Sequence, residues 1–231
     1  MNFVSEVVRY LTKSSNWSGA NGALALLANQ LEISALAVAA ALVAGVGLGA
    51  VLAQSRRGAF AVVNAANAAR AVPSFALITL LGIQPAIVRL RQGGLVATGI
   101  AMFALAVPPV LTNAYVGLRG AEPSARAAAL AMGMTRVQLF KQIELPLALP
   151  VVMAGARTAA VEVVATATLG AYVGYNDLGT YIFTGLALHD DVETFAGALL
   201  VAVLALAVDQ AMALAQRALT PAGLRARRAS P

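Results

Sequence analysis

Residues 33–53 read ISALAVAAALVAGVGLGAVLA, a stretch of 21 positions without a charge. An α-helix needs about 20 predominantly apolar residues to cross a bilayer. In lipid every backbone N–H and C=O must be paired internally, so only helices and closed barrels span. Barrel strands run about ten residues and alternate polar with apolar; this run is long, rich in Ala and Leu, and does not alternate. Four more apolar runs follow. Residues 60–83 are interrupted by Asn64, Asn67 and Arg70; 95–115 are uncharged; 146–173 carry Arg157 and Glu162; 194–214 carry Asp209. The expectation is an all-α integral membrane protein with five transmembrane helices, a re-entrant or sixth segment near 60–94 staying open.

The rest of the 231-residue chain agrees. It is 60% apolar and 11% charged, with a mean hydropathy of +0.79. Soluble domains are roughly 45–50% apolar and about 25% charged. A water-soluble globular domain, a disordered chain and a nucleic-acid binder are therefore excluded as readings. The net charge of +6 is what membrane proteins reach through basic loops. Cysteine is absent and His189 is the one histidine, so thiolate sites and three-histidine metal sites within one chain are impossible. His189 beside Asp190 and Asp191 invites a metal or pH-sensing role, but a solvated turn is the favoured reading. The first apolar run begins 32 residues in and is long for a signal-peptide core, so a cleaved leader is not expected.

Cytoplasmic loops carry an excess of Lys and Arg. With five spans, one side collects Arg56, Arg57, Arg119, Arg126, Arg136, Lys141, Arg217, Arg225, Arg227 and Arg228; the other holds Arg9, Lys13, Arg89 and Arg91. The N-terminus is predicted outside and the C-terminus cytoplasmic, with Arg89 and Arg91 as the local contradiction. Residues 1–24 read as an interfacial segment: Phe3, Val7, Val8 and Leu11 recur at helical spacing with Glu6, Arg9 and Lys13 between them, and Trp17 suits the headgroup zone. Residues 25–215 form the transmembrane domain and 216–231 a basic cytoplasmic tail.

Ionisable groups inside a bilayer are costly and face an interior or a wet path. Asn64, Asn67 and Arg70 share one helix face, which suits either a translocation path or hydrogen bonding between helices. Arg157 and Glu162 are five apart, off the spacing of an intrahelical pair; Glu162 needs a partner, with Arg70 the candidate, and a structural ion pair is the leading reading. The role of Asp209 stays open. Pro73 interrupts the second span and Pro108 and Pro109 the third, as hinges or, preferably, fixed kinks. Gly45, Gly47 and Gly49 permit close helix approach.

The loop between the third and fourth spans, residues 117–146, reads GLRGAEPSARAAALAMGMTRVQLFKQIELP. Glu122, Pro123 and Ser124 form a helix start. Ala127 to Met132 favour helix, Gly133 interrupts, and Val137, Phe140 and Ile143 continue an apolar face until Leu145 and Pro146 close the segment and begin the next span. Helix, glycine break, helix and proline make a compact ridge for a cytosolic partner.

This loop resembles the signature loop of type I ABC importer permeases, patterned Glu-Ala-Ala, three residues, Gly, nine residues, Ile, one residue, Leu-Pro. Ala128, Ala129, Gly133, Ile143, Leu145 and Pro146 fall on that register without a gap; Ala127 stands where the family has glutamate, removing one charge from the docking surface. A narrower resemblance, to the permeases of osmoprotectant importers, is carried by AVPSFALITLLGI (71–83), NAYVGLRG (113–120), residues 131–174 and LGTYI (178–182). The resemblance covers roughly residues 25–215. It implies the type I permease fold with a helical cytoplasmic coupling loop at 117–146, in a multi-pass protein of the bacterial plasma membrane. It also implies a cytosolic ATP-hydrolysing subunit dimer, a second permease copy or sister permease, and an extracytoplasmic substrate-binding protein, with no nucleic acid among the partners. The implied solute is glycine betaine, carnitine, choline or proline; methionine-type permeases share the plan and are the alternative.

The chain lacks a Gly-x-x-x-x-Gly-Lys-[Ser/Thr] phosphate loop, so the expectation is a non-catalytic subunit with no cofactor of its own, ATP and Mg lying on a partner. An intramembrane enzyme would need convergent acid, base or metal groups; Arg70, Glu162 and Asp209 are the only candidates. An autonomous carrier commonly shows internal repeats, none of which is clear. Quaternary ammonium ligands favour aromatic cages, and 6% aromatics points to recognition mainly in the binding protein.

Overall fold

In a computed structural model the described residues are 2–55, 59–120 and 123–220, and among them the secondary structure is entirely helical. Arg56, Arg57, Glu122, Arg225, Arg227 and Arg228 lie outside the described residues. The α-helices are α1 (Phe3–Thr12), α2 (Ala23–Gln54), α3 (Ala59–Ala69), α4 (Ser74–Gly82), α5 (Pro85–Val88), α6 (Gly93–Arg119), α7 (Pro123–Ala131), α8 (Arg136–Leu139), α9 (Leu145–Ala167), α10 (Gly179–Leu188) and α11 (Asp191–Leu219). Among the described residues four helical stretches are long and apolar enough to cross a membrane: α2, α6, the continuous run Arg136–Val173 and α11. The broken pair α3 and α4 makes a fifth if its halves count as one span.

The second apolar run is broken outright. Pro73 cannot donate a backbone N–H, and it pushes the residue before it out of helical geometry. The chain tightens through Arg70 N–H to Asn67 O and Ala71 N–H to Ala68 O, becomes extended at Pro73, and restarts as α4. The third span behaves differently. Pro108 and Pro109 lie inside α6, which runs through them as one helical segment. Their missing N–H groups cost two ladder bonds, while Asn113 adds a donor by bonding Pro109 O at 2.8 Å.

By contacts the chain forms two compact units. The first comprises residues 1–40, 72–106 and 160–208. Its core includes Leu26, Val164, Leu178, Tyr181 and Leu204. α2 begins ten residues before the uncharged run, taking in Asn29, Gln30 and Glu32. Gln30 is fully buried, and its amide donates to Val164 O at 2.8 Å and accepts from Leu178 N at 3.1 Å. The buried amide thus has both its donor and its acceptor sides engaged, tying α2 to α9 and to the start of α10. The amphipathic α1 is fastened to this unit: Phe3 meets Phe195 edge-on at 5.4 Å, Tyr10 meets Tyr181 at 6.2 Å, and the Tyr181 hydroxyl donates to Asn16 O at 2.7 Å.

The second unit comprises residues 41–71, 107–159 and 209–231. Ala114, Leu118, Ala148 and Val152 form its core, with Leu42, Val46 and Phe140 packed against them. Without lipid-facing hydrophobic drive, helices associate through close packing of small residues. A Cβ on Gly45 would lie 2.7 Å from Val110 Cγ1, and one on Gly49 would lie 2.8 Å from Ala114 Cβ. Gly47 has open space, so only two of the three glycines serve close approach.

Candidate coupling site and interior polar residues

The 117–146 loop folds as two short helices around a left-handed glycine. α7 carries Ala127, Ala128 and Ala129; of these, Ala129 is buried while Ala127 and Ala128 are exposed. Gly133 has φ +86°, a conformation side chains with a Cβ rarely adopt, and nothing lies within 4 Å of where that Cβ would sit. Thr135 then caps α8: its hydroxyl accepts from Gln138 N at 3.3 Å, while Gln138 Oε1 accepts from Thr135 N at 2.8 Å. This reciprocal capping box fixes the direction in which the chain leaves the glycine.

Leu145 and Pro146 begin α9, and the helical run before them continues into it without a gap. Residues Phe140–Glu144 form a π-turn, with Leu145 N–H bonding Phe140 O, and the helix runs on into α9. A π-turn shifts the hydrogen-bond register by one residue, which accommodates a following proline that has no N–H to give. Ile143 and Pro146 are half-buried on this continuous rod. Across the loop, Arg126 Nε lies 2.9 Å from Glu144 Oε1, and the same guanidinium donates from Nη2 to Leu118 O. Val137, Phe140, Glu144 and Arg136 also line a cavity of about 290 Å³ with Ala50 and Gln54.

One pair of interior ions is joined across two spans. Arg157 engages Asp209 with two hydrogen bonds, Nε to Oδ1 and Nη2 to Oδ2, both 2.6 Å. Planar guanidinium–carboxylate pairing of this kind satisfies both ions in one geometry. Asp209, whose role the sequence left open, is thus the counter-ion of α9. The signal was present: two opposite charges in separate apolar runs each require a partner. Asn64, Asn67 and Arg70 all lie on exposed parts of the second unit, and Asn67 Oδ1 accepts from Thr112 Oγ1 at 3.2 Å. Glu162 is half-buried on α9.

His189 is a helix-ending residue with φ +58°. Asp190 caps the next helix by accepting from Val192 N and Glu193 N at 3.0 Å each. Among the described residues no group of three metal-ligating side chains converges. The His-Asp-Asp stretch is a turn with a helix cap.

Comparison with known proteins places this arrangement. The chain is 36% identical to the choline transport system permease protein OpuBB of Bacillus subtilis over 84% of this chain and 87% of that one. It is 34% identical to the osmoprotectant import permease protein OsmW of Salmonella typhimurium, over 88% and 95%. The MetNI methionine ABC transporter in an inward-facing form matches with a TM-score of 0.72 at 22% identity, over 84% of this chain and 94% of that one. An amino acid ABC transporter solved with histidines matches with a TM-score of 0.70 at 16% identity, over 94% and 98%; at these identities the likeness is one of fold. Residues 25–222 match the family of binding-protein-dependent transport system inner membrane components, and the chain belongs to that family of ABC importer permease subunits.

Proposed function

We propose that this chain forms the membrane path for a small quaternary-ammonium osmoprotectant, glycine betaine, carnitine or choline. The observation that carries the reading is the identity of about one third, over more than four fifths of the chain, to permeases named for those solutes. A methionine-type solute is supported by likeness of fold alone.

In this reading the 117–146 loop docks on a cytosolic ATP-hydrolysing subunit. Ala127, Ala128 and Ala129 form one arm, Gly133 the corner, and Ile143, Leu145 and Pro146 the arm that continues into α9. Movement of the docked loop is passed to that span along the continuous helical run Arg136–Val173. Asn64, Asn67 and Arg70 face the path or a second permease copy, while Arg157 and Asp209 hold α9 to α11. The N-terminus lies outside and the C-terminal tail in the cytoplasm of a bacterial cell. An extracytoplasmic binding protein delivers the solute. The chain itself performs no catalysis and holds no cofactor; ATP and Mg belong to the partner.

The test is uptake of labelled glycine betaine and choline at high osmolarity in a host stripped of its own systems. The chain is supplied with its ATP-hydrolysing and binding-protein subunits. ATP-dependent uptake that disappears when this chain is omitted is the expected result. Uptake of methionine but of neither quaternary ammonium compound would overturn the substrate reading.

A further inference from the structure

The first unit holds a polar cavity of about 490 Å³, within the size range of small-molecule sites. Asn29 and Glu32 of α2 line it, together with Arg91, the start of α6 and Tyr175. Its walls are built. Asn29 Nδ2 donates to Asn176 O at 2.9 Å, and the Tyr175 hydroxyl donates back to Asn29 O at 2.8 Å. Gly94 lies so close to the 173–175 backbone that a Cβ on it would be 2.6 Å from Val173 O. Burial, with Asp177 and Glu32 nearby, raises the Tyr175 hydroxyl to about 12, so it stays a neutral donor.

Glu32 and Arg91 carry opposite charges into this one cavity, and neither has a hydrogen-bond or ion-pair partner among the described residues. Two opposite charges that share a cavity without neutralising each other match a ligand that carries both. Arg91 is also one of the two basic residues that run against the charge bias of the loops, and a ligand gives it a reason to be there. The start of α6 adds the positive end of a helix dipole on the same side.

We propose that this cavity is a subsite for a zwitterionic solute, its quaternary ammonium held by Glu32 and Tyr175 and its carboxylate by Arg91. Tyrosine rings attract such cations, and guanidinium groups bind carboxylates directionally. The inference rests on the osmoprotectant reading and sharpens it: the site distinguishes solutes with a carboxylate from those without.

The experiment uses the complete transporter in cells and compares glycine betaine with choline, which has no carboxylate. Arg91→Gln is expected to lower glycine betaine uptake about tenfold while choline uptake and capture of the binding protein stay unchanged. Arg91→Lys, which keeps the charge, should retain most of the uptake. Glu32→Gln should lower both solutes. Unchanged glycine betaine uptake in Arg91→Gln would overturn the proposal, as would an equal fall for both solutes or loss of binding-protein capture, which would make Arg91 a docking residue. If the unmodified transporter carries neither solute, the substrate reading itself falls and this subsite with it. If it carries them and Arg91→Gln is silent, only the subsite falls.

Discussion

The Nε of Arg126 sits 2.9 Å from Oε1 of Glu144, joining α7 to the π-turn that feeds α9. The N–H is not aligned for a straight hydrogen bond, so the contact is an ionic one. It ties together the two arms of the loop on either side of Gly133. Ala127 brings no carboxylate to the loop, and the acidic group at Glu144 is turned inward to Arg126.

Breaking that tie is expected to loosen coupling more than it loosens the fold. A partly exposed ion pair contributes about 1 kcal/mol, so Glu144→Gln should leave membrane insertion intact. The measurement is ATP hydrolysis by the reconstituted complex with and without loaded binding protein. Glu144→Gln and Arg126→Met should each lower the stimulated rate several-fold while the basal rate holds. An unchanged ratio of stimulated to basal rate would show that the pair does not transmit.

Gly133 offers a cleaner probe because its surroundings are empty. A side chain there meets no atom within 4 Å, so any cost comes from the positive φ alone. Left-handed geometry costs a non-glycine residue about 1–2 kcal/mol, less for asparagine. Gly133→Val should reduce co-purification of the ATP-hydrolysing subunit, and Gly133→Asn should restore much of it. Equal capture by both variants would remove the corner from the docking argument.

For Arg157 and Asp209 the expectation concerns helix association. Asp209→Ala leaves a guanidinium on α9 without its two 2.6 Å bonds. Removing one member of an ion pair is more harmful than replacing both, because the survivor is left uncompensated. Thermal unfolding in detergent should drop for Asp209→Ala and for Arg157→Ala, and recover in part in the double variant Arg157→Met, Asp209→Met. Additive losses would mean the two groups act separately.

The spans were legible in the sequence because apolar length is a local property. The break in the second run was legible as Pro73, and the loop corner as Gly133. What the residue pattern hid has a common physical origin in groups satisfied far along the chain. The uncharged run starts at Ile33, yet α2 begins at Ala23 and takes in Gln30, whose partners are Val164 and Leu178. The spacing rule that tests Arg157 against Glu162 covers only one helix, whereas Asp209 is 52 residues away. At Pro108 and Pro109 the helix α6 continues and α9 packs against that stretch: a Cβ on Gly155 would lie 2.7 Å from Pro109 O. Packing holds the helix where propensity alone would let it break.

Asp177 supplies the pH-dependent prediction. It sits in the 174–178 loop, fully buried, with Oδ1 accepting from Gly179 N at 2.7 Å and Oδ2 without a partner. Burial outweighs that one hydrogen bond and raises the carboxyl to about 7. A carboxyl whose folded value lies above its unfolded value of about 4 holds its proton more tightly when folded. Its contribution to stability is then greatest below pH 4, declines as the pH rises from about 4 to about 7, and is flat above. Asparagine at this position keeps the acceptor for Gly179, carries no charge, and places an N–H₂ near Thr98 Oγ1, which flanks the same spot beside Gly170. Asp177→Asn should flatten the pH profile of thermal unfolding between 5 and 8 and raise stability at the alkaline end. A variant that keeps the wild-type slope would show that another group titrates there, and one that is less stable at every pH would show that Oδ2 is paired in the membrane.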